Sequence, residues 1–120
     1  MIFTGYVHDE DLDTYYRNAR VFVLPSKYEP FGMTVLEAMA CGTPVVATGY
    51  GGLRHVLTNR RDSLLVDPSK PDELAAAIIE VLTDEVLAAK LTEVGLKLIA
   101  QRFSWQSIAR QTVAFYRKYV

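Results

Sequence analysis

Residues 29–37 read EPFGMTVLE, with a carboxylate at each end, a glycine between them and an apolar helical run after them. Gly32 allows the backbone to turn tightly and to approach a ligand closely. A helix that begins here presents the free N–H groups of Met33, Thr34 and Val35 at its positive end, which suits a phosphate. The segment therefore predicts a loop that ends in a phosphate-binding helix tip.

Apolar, β-rich runs lie on both sides of this loop. VFVLPS at 21–26 and PVVAT at 44–48 show no polar alternation, as expected of strands buried on both faces of a parallel sheet. SLLVD at 63–67 has the same character, and IFTGYV at 2–7 predicts one more strand. Helical patterns cover 9–19, 34–41, 53–57, 71–83, 87–98 and a last segment capped by Ser104. This alternation predicts an α/β fold, a Rossmann-like parallel sheet with flanking helices.

Composition excludes several classes of protein. Half of the 120 residues are hydrophobic, and 13 basic against 14 acidic residues leave a net charge of −1, so no nucleic-acid surface is predicted. The one cysteine, Cys41, cannot form an internal disulfide, and His8 and His55 lack a second ligand at metal spacing. No apolar run approaches the roughly 18 residues of a transmembrane segment. We expect a cytoplasmic protein with no metal site.

The two acids of the loop allow two interpretations. In the first, Thr34 caps the helix and Glu37 completes a capping box at the third helical position, while Glu29 is a solvated loop acid. In the second, the acids face hydroxyl groups, because a carboxylate repels a phosphate but is a strong acceptor for sugar O–H groups. One acid on each side of a phosphate site then indicates a sugar–phosphate–ribose ligand.

The segment EPFGMTVLEAMACGTPVVAT at 29–48 closely resembles the signature of retaining glycosyltransferases of the GT-B fold, family 4 or group 1. The hallmark of that family is two glutamates separated by seven residues, the separation of Glu29 and Glu37 here. FTGYV, VFVLPS, the glycine pair at 51–52 and LLVDP at 64–68 agree with it, so that the resemblance covers nearly the whole chain. Sucrose-phosphate-synthase-like and mannosyltransferase-like members are the most similar.

The resemblance implies roles for both acids, which are the candidate catalytic residues. Glu29 would hold hydroxyls of the donor sugar, and Glu37 would bind the ribose hydroxyls of the nucleotide. The backbone amides that would contact the sugar are those of Phe31, Gly32 and Met33. The implied substrate is a nucleotide-diphosphate sugar, from which a hexosyl group moves to an acceptor hydroxyl.

The family also implies where the rest of the donor lies. Thr34 and Val35 would lie at the diphosphate, and Gly5, with the two residues after it, near the nucleobase. Members need no metal or other cofactor, because the helix dipole and basic side chains stabilise the leaving diphosphate. The reaction would retain the anomeric configuration, with the departing phosphate deprotonating the acceptor. Neither glutamate is then a nucleophile, and positioning and charge stabilisation carry the rate.

Parts of the family pattern are not in this chain. A GR…KG segment, an arginine and a lysine that hold the diphosphate, and a separate acceptor domain would precede FTGYV in other members. Residues 1–120 are therefore predicted to be one partial donor-binding domain, the second half of a GT-B C-terminal domain, and inactive alone. His55 stands where many members carry a glutamate, which casts doubt on donor contacts from the glycine pair, and Ser63 stands where glycine is usual.

Two other functions stay open at this point. A half-domain without the basic pair could be a non-catalytic sugar-nucleotide-binding or assembly module, and an epimerase or phosphorylase would share the architecture. Because an exposed sheet edge favours further pairing, we expect a homo-oligomer that forms through that edge. The aromatic residues of the last helix fall on one stripe and are interpreted as core, namely Trp105, Phe115, Tyr116 and Tyr119.

Overall fold

Three short parallel strands form the sheet, in the order β1–β2–β3. The computed structural model describes all 120 residues. The strands are β1 Phe22–Leu24, β2 Val45–Thr48 and β3 Leu64–Val66. Every residue of β2 is buried, whereas β1 is half-buried along its length, because its outer edge has no partner strand. The predicted parallel sheet is confirmed, with strands shorter than the apolar runs suggested.

Five α-helices and two short helical turns make up the rest of the regular structure. The α-helices are α1 Asp9–Asn18, α2 Met33–Ala40, α3 Pro71–Thr83, α4 Glu85–Leu98 and α5 Trp105–Tyr119. A 3₁₀ turn covers Gly51–His55, and a π-helical turn covers Ile99–Phe103 between α4 and α5. None of these helices combines the length and the apolar composition needed to cross a bilayer.

One face of the sheet carries the larger of two apolar clusters. Val45 and Ala47 of β2 belong to it, as the alternation of side chains along a strand requires. Helix α2 lies on this face, with α1 beside it, and Leu53 of the 3₁₀ turn is fully buried there. From the two helices come Tyr16, Val35, Leu36, Ala38 and Met39. This packing fixes α2, and therefore its N-terminal tip, against the carboxyl ends of β1 and β2.

The opposite face is covered by α3 and α4. Val46 of β2 points to this side together with Leu64 and Val66 of β3. Ala77 and Val81 of α3 are buried against them at a spacing of four residues, which places both side chains on one face of the helix. The result is a layer of helices on each face of the sheet, as in other Rossmann-like folds.

Residues 2–7, predicted as a strand, form none. The segment makes no backbone hydrogen bond with the rest of the chain, and the side chains of Ile2 and Phe3 are almost fully exposed. A strand needs a neighbour to pair its N–H and C=O groups, and no strand lies beside this segment. The strand prediction is therefore wrong for this chain.

The last helix also differs from the prediction. Ser104 caps it as expected, because its hydroxyl oxygen accepts from the Ser107 N–H at 3.2 Å. Beyond Ser107, however, no side chain of α5 is buried, since the helix leaves the sheet and packs mainly on the π-helical turn before it. Trp105 is 84% exposed, and Phe115, Tyr116 and Tyr119 are exposed as well. Their interpretation as core residues is wrong.

Candidate functional site

Helix α2 begins at Gly32, which adopts a left-handed backbone conformation with φ 86°. The residue is buried, and a Cβ there would lie under 3.0 Å from the side chain of Leu53. Glycine is required twice over, for its φ and for this close approach. The predicted capping box is wrong, because Gly32 is the N-cap residue, no side chain caps the helix, and Thr34 lies inside the first turn.

The carboxylate of Glu29 folds back onto its own loop. Its Oε1 accepts from the Gly32 N–H at 2.8 Å and from the Phe31 N–H at 3.3 Å. Glu29 is half-buried, and Oε2 accepts no hydrogen bond within the chain. The amides of Phe31 and Gly32, expected to contact a sugar, are occupied by Glu29 in this conformation.

The free donors at the tip of α2 are fewer than the sequence suggested. The N–H groups of Met33 and Thr34 donate to no acceptor in the chain, and the exposed Thr34 hydroxyl has no partner. Val35 differs, because its N–H donates to the Gly32 carbonyl at 3.0 Å and its side chain is fully buried. Two amides and one hydroxyl therefore remain for an anion at the positive end of the helix.

Glu37 is the fifth residue of α2 and lies one turn beyond the tip. It is half-buried, and its Oε2 accepts from the phenolic O–H of Tyr16 at 3.1 Å, while Oε1 has no partner in the chain. Tyr16 lies on α1, and its ring is buried in the core while its hydroxyl reaches Glu37. Burial first, and then the hydrogen bond to Glu37, raises the pKa of Tyr16 to about 12.

A groove of about 320 Å³ opens beside Glu37. Glu37 is the only charged residue in its wall, so this carboxylate faces a cleft and is not sealed in the interior. The other lining residues, all apolar, are Phe31, Met33, Leu36, Ala40, Ile99, Phe103, Trp105 and Ile108. Glu29 does not line this groove. It lies in the loop that precedes α2 in the chain.

The glycine pair after β2 packs directly on the Glu29 loop. The Gly52 N–H donates to the Glu29 carbonyl at 2.9 Å. A Cβ at Gly52 would lie under 3.0 Å from the Pro30 carbonyl, and one at Gly51 would collide with the Glu29 carbonyl. The two loops therefore meet backbone to backbone. The doubt that the resemblance raised concerns donor contacts from this turn; its observed role is to support the Glu29 loop.

The structure does not join the N-terminal segment to this site. Gly5 has φ 66° and is exposed, and no hydrogen bond connects residues 1–7 to the tip of α2. Lys27 is exposed, and His55 accepts from the Arg54 side chain at 3.1 Å on the outside of the 3₁₀ turn. The residues brought together are those of the 29–37 segment, Tyr16 and the glycine pair.

Residues 1–98 match the protein family described as Glycosyl transferases group 1. Over 112 residues the chain is 44% identical to mannosylfructose-phosphate synthase of Agrobacterium fabrum, a match that covers 93% of the chain and 25% of that protein. Because the family match extends over most of the chain, the likeness is not confined to the 29–48 segment.

Two solved structures have the same fold. Sucrose-phosphate synthase from Thermosynechococcus elongatus matches with a TM-score of 0.87 and 42% identity, over 98% of this chain and 30% of that one. The Anabaena protein HepE, in complex with UDP-glucose, matches with a TM-score of 0.81 and 28% identity, over 90% and 30% of the two chains. The predicted likeness to sucrose-phosphate-synthase-like members is confirmed. The chain spans less than a third of the length of these relatives.

The loop contact predicts that Gly52→Ala destabilises the chain. The added methyl group would overlap the Pro30 carbonyl, and overpacking against backbone costs about 1–3 kcal/mol. Gly49→Ala is the matched control, because its Cβ would meet neighbours only at 3.7 Å or beyond and its φ is not left-handed. Urea unfolding should show the loss for Gly52→Ala and a change below about 1 kcal/mol for Gly49→Ala. Equal stability of the two variants would contradict the loop contact.

The Tyr16–Glu37 hydrogen bond predicts an alkaline titration. The pKa of Tyr16 in the folded chain, about 12, lies above the ordinary value of 10.0. The contribution of the protonated Tyr16 to the free energy of unfolding is therefore complete below pH 10 and is lost as the pH rises towards 12. Glu37→Gln should lower the pKa of Tyr16 but leave it above 10.0, because burial, the larger cause, remains. Tyrosine ¹³Cζ NMR titration measures this. Glu85→Gln, at an exposed site on α4, should leave the pKa of Tyr16 unchanged. An unchanged Tyr16 pKa in Glu37→Gln would contradict the contact between Tyr16 and Glu37.

Proposed function

Because the chain belongs to the glycosyl transferases group 1 family, we propose that it is the donor-binding part of a retaining glycosyltransferase. In this proposal a hexosyl group moves from a nucleotide-diphosphate sugar to an acceptor hydroxyl. The observation that carries it is the α2 tip, where two free amides lie between two carboxylates that each keep one oxygen free. That arrangement suits an anionic group with a hydroxyl-bearing sugar on either side.

The diphosphate would bind at the start of α2. The free N–H groups of Met33 and Thr34 and the Thr34 hydroxyl are the donors for its oxygens. Val35 would lie at the diphosphate without donating to it, because its N–H is bonded to Gly32. The positive end of the helix dipole adds to the attraction of an anion at this position.

The two carboxylates would bind the two sugars. Oε1 of Glu37 is free to accept from the ribose hydroxyls, and Oε2 of Glu29 is free to accept from hydroxyls of the donor hexose. The amides of Phe31 and Gly32 hold the Glu29 carboxylate by its other oxygen, so that the hexose would lie beside this turn. Gly5 would approach the nucleobase only if the N-terminal segment moved to the site.

In the proposed reaction, the bond from the anomeric carbon to the diphosphate oxygen breaks and a bond to the acceptor oxygen forms on the same face. The acceptor proton passes to the departing phosphate oxygen, so that neither Glu29 nor Glu37 is a nucleophile. The donors at the α2 tip stabilise the charge that develops on the leaving diphosphate. No metal or other cofactor takes part in this proposal.

The proposal assigns donor binding, and not complete catalysis, to these 120 residues. The relatives are more than three times as long, and no second lobe that could hold an acceptor faces the α2 tip in this structure. We therefore expect no sugar transfer by the chain alone.

Glu37→Gln tests the proposal through the ribose. Calorimetry with UDP, GDP and ADP should show that the chain binds at least one of them. For that nucleotide, Glu37→Gln should weaken binding by on the order of tenfold or more, because hydrogen bonds to a charged acceptor are lost. The 2′,3′-dideoxy form of the same nucleotide should bind both proteins equally, since it offers no ribose hydroxyl to Glu37.

The control for this experiment is Glu85→Gln, which removes an exposed acid far along the chain on α4. The affinity of Glu85→Gln for the nucleotide should equal that of the unchanged protein. The donor-binding proposal is overturned if none of the three nucleotides binds. The ribose role of Glu37 is overturned if its variant loses affinity for the ribo and dideoxy forms equally.

A second proposal concerns assembly through the edge of β1. This strand is half-buried and pairs only with β2, so that the N–H and C=O groups of its outer edge have no strand partner. Such edges favour pairing with a second chain. An open strand edge is also what a non-catalytic assembly module would need.

Sedimentation velocity should therefore show a concentration-dependent dimer. The Phe22 N–H donates to the Pro44 carbonyl on the β2 side, so the N–H of the next residue, Val23, faces the open edge. Val23→Pro removes this N–H and should shift the equilibrium towards the monomer. Val86→Pro, in the first turn of α4 where proline is tolerated, is the control and should leave the dimer intact. A wild-type chain that stays monomeric up to high concentration would contradict this proposal.

A further inference from the structure

We propose that Tyr16 is a positioning residue for ribose recognition. Its hydroxyl would hold one oxygen of the Glu37 carboxylate, so that the other oxygen is presented to the ligand in a fixed orientation. The proposal rests on the proposed function of Glu37 and extends it to a second helix. The basis is geometric: the hydroxyl of a buried, rigid side chain lies 3.1 Å from Oε2 of Glu37.

Tyr16 is held from three directions. Its side chain is buried, with 6% of the residue exposed, and its ring packs edge-to-face on Phe22 of β1 at 5.5 Å between centroids. Its backbone carbonyl accepts from the Thr43 hydroxyl at 2.5 Å. Because Phe22 belongs to the sheet and Thr43 follows α2, the phenol is fixed relative to both elements that frame the site.

Glu37 has no comparable support of its own. It pairs with no lysine or arginine, and Tyr16 is its only side-chain partner. A half-buried glutamate without a partner samples several rotamers, and binding a ligand then requires one of them to be selected. A hydrogen bond that selects the rotamer in advance removes this entropic cost from binding.

The neighbouring tyrosine shows that the arrangement belongs to Tyr16 alone. Tyr15 lies on the same helix and is 54% exposed, and its hydroxyl makes no hydrogen bond in the chain. If Tyr16 served only to fill the core, a phenylalanine would fill the same space. A phenylalanine lacks only the hydroxyl, and in Tyr16 that hydroxyl donates to the Glu37 carboxylate.

The test is Tyr16→Phe, which keeps the ring on Phe22 and removes only the hydroxyl. With the nucleotide that the chain binds best among UDP, GDP and ADP, affinity should fall on the order of two- to tenfold, the cost of ordering one flexible side chain on binding. The 2′,3′-dideoxy form should bind Tyr16→Phe and the unchanged protein equally. In a Glu37→Gln background, Tyr16→Phe should have no further effect. Tyr15→Phe is the matched control and should change neither affinity.

A ligand-free measurement separates this proposal from the donor-binding proposal. Side-chain NMR couplings of Glu37 should report one rotamer in the unchanged protein and rotamer averaging in Tyr16→Phe. Averaging in both proteins would overturn the positioning role even if nucleotide binds. Equal loss of affinity for the ribo and dideoxy forms would make Tyr16 merely structural and would also overturn it. If no nucleotide binds, the donor-binding proposal fails and the ribose role of Tyr16 fails with it, whatever the NMR shows.

Discussion

The backbone contact between two loops underlies the whole site. Gly52 donates to the Glu29 carbonyl, and the glycine pair leaves no room for a Cβ between the loops. Leu53, next along the 3₁₀ turn, fills the space that a side chain at Gly32 would need. The turn after β2 therefore fixes the conformation of the Glu29 loop, and that loop fixes where α2 begins. A site made of backbone amides depends on such contacts, because amides cannot reorient independently of the chain.

The sequence predicted most elements because their signals are local. The apolar runs marked β1, β2 and β3, and Pro71 and Ser104 marked the starts of two helices. The strand expected at 2–7 failed for a non-local reason, since its residues favour a strand but nothing in the chain pairs with them. The prediction that the aromatic stripe of α5 is buried failed for a non-local reason too. Helical spacing shows which face of a helix is apolar, but it does not show whether anything covers that face.

Prediction of the site was limited in the same manner. The segment 29–37 and its helix tip followed from the residues alone, but the N-cap assignment went to Thr34 because a capping box is a sequence pattern. The contact with Leu53 that requires Gly32 spans 21 residues and leaves no local trace. The hydrogen bond from Tyr16 to Glu37 also spans 21 residues. No sequence pattern indicates which residue accepts from the Tyr16 hydroxyl.

Each of the two acids is half satisfied from within the chain. Oε1 of Glu29 receives two backbone amides, and Oε2 of Glu37 receives a phenol, while the second oxygen of each remains free. Neither acid is neutralised by a cation. Neutral donors orient a carboxylate without removing its charge, so its ability to accept from a hydroxyl is kept. They also leave the donors of Met33 and Thr34 free, since no acid of the loop turns towards those amides. Orientation of the acids and availability of the amides are thus two results of one hydrogen-bond pattern.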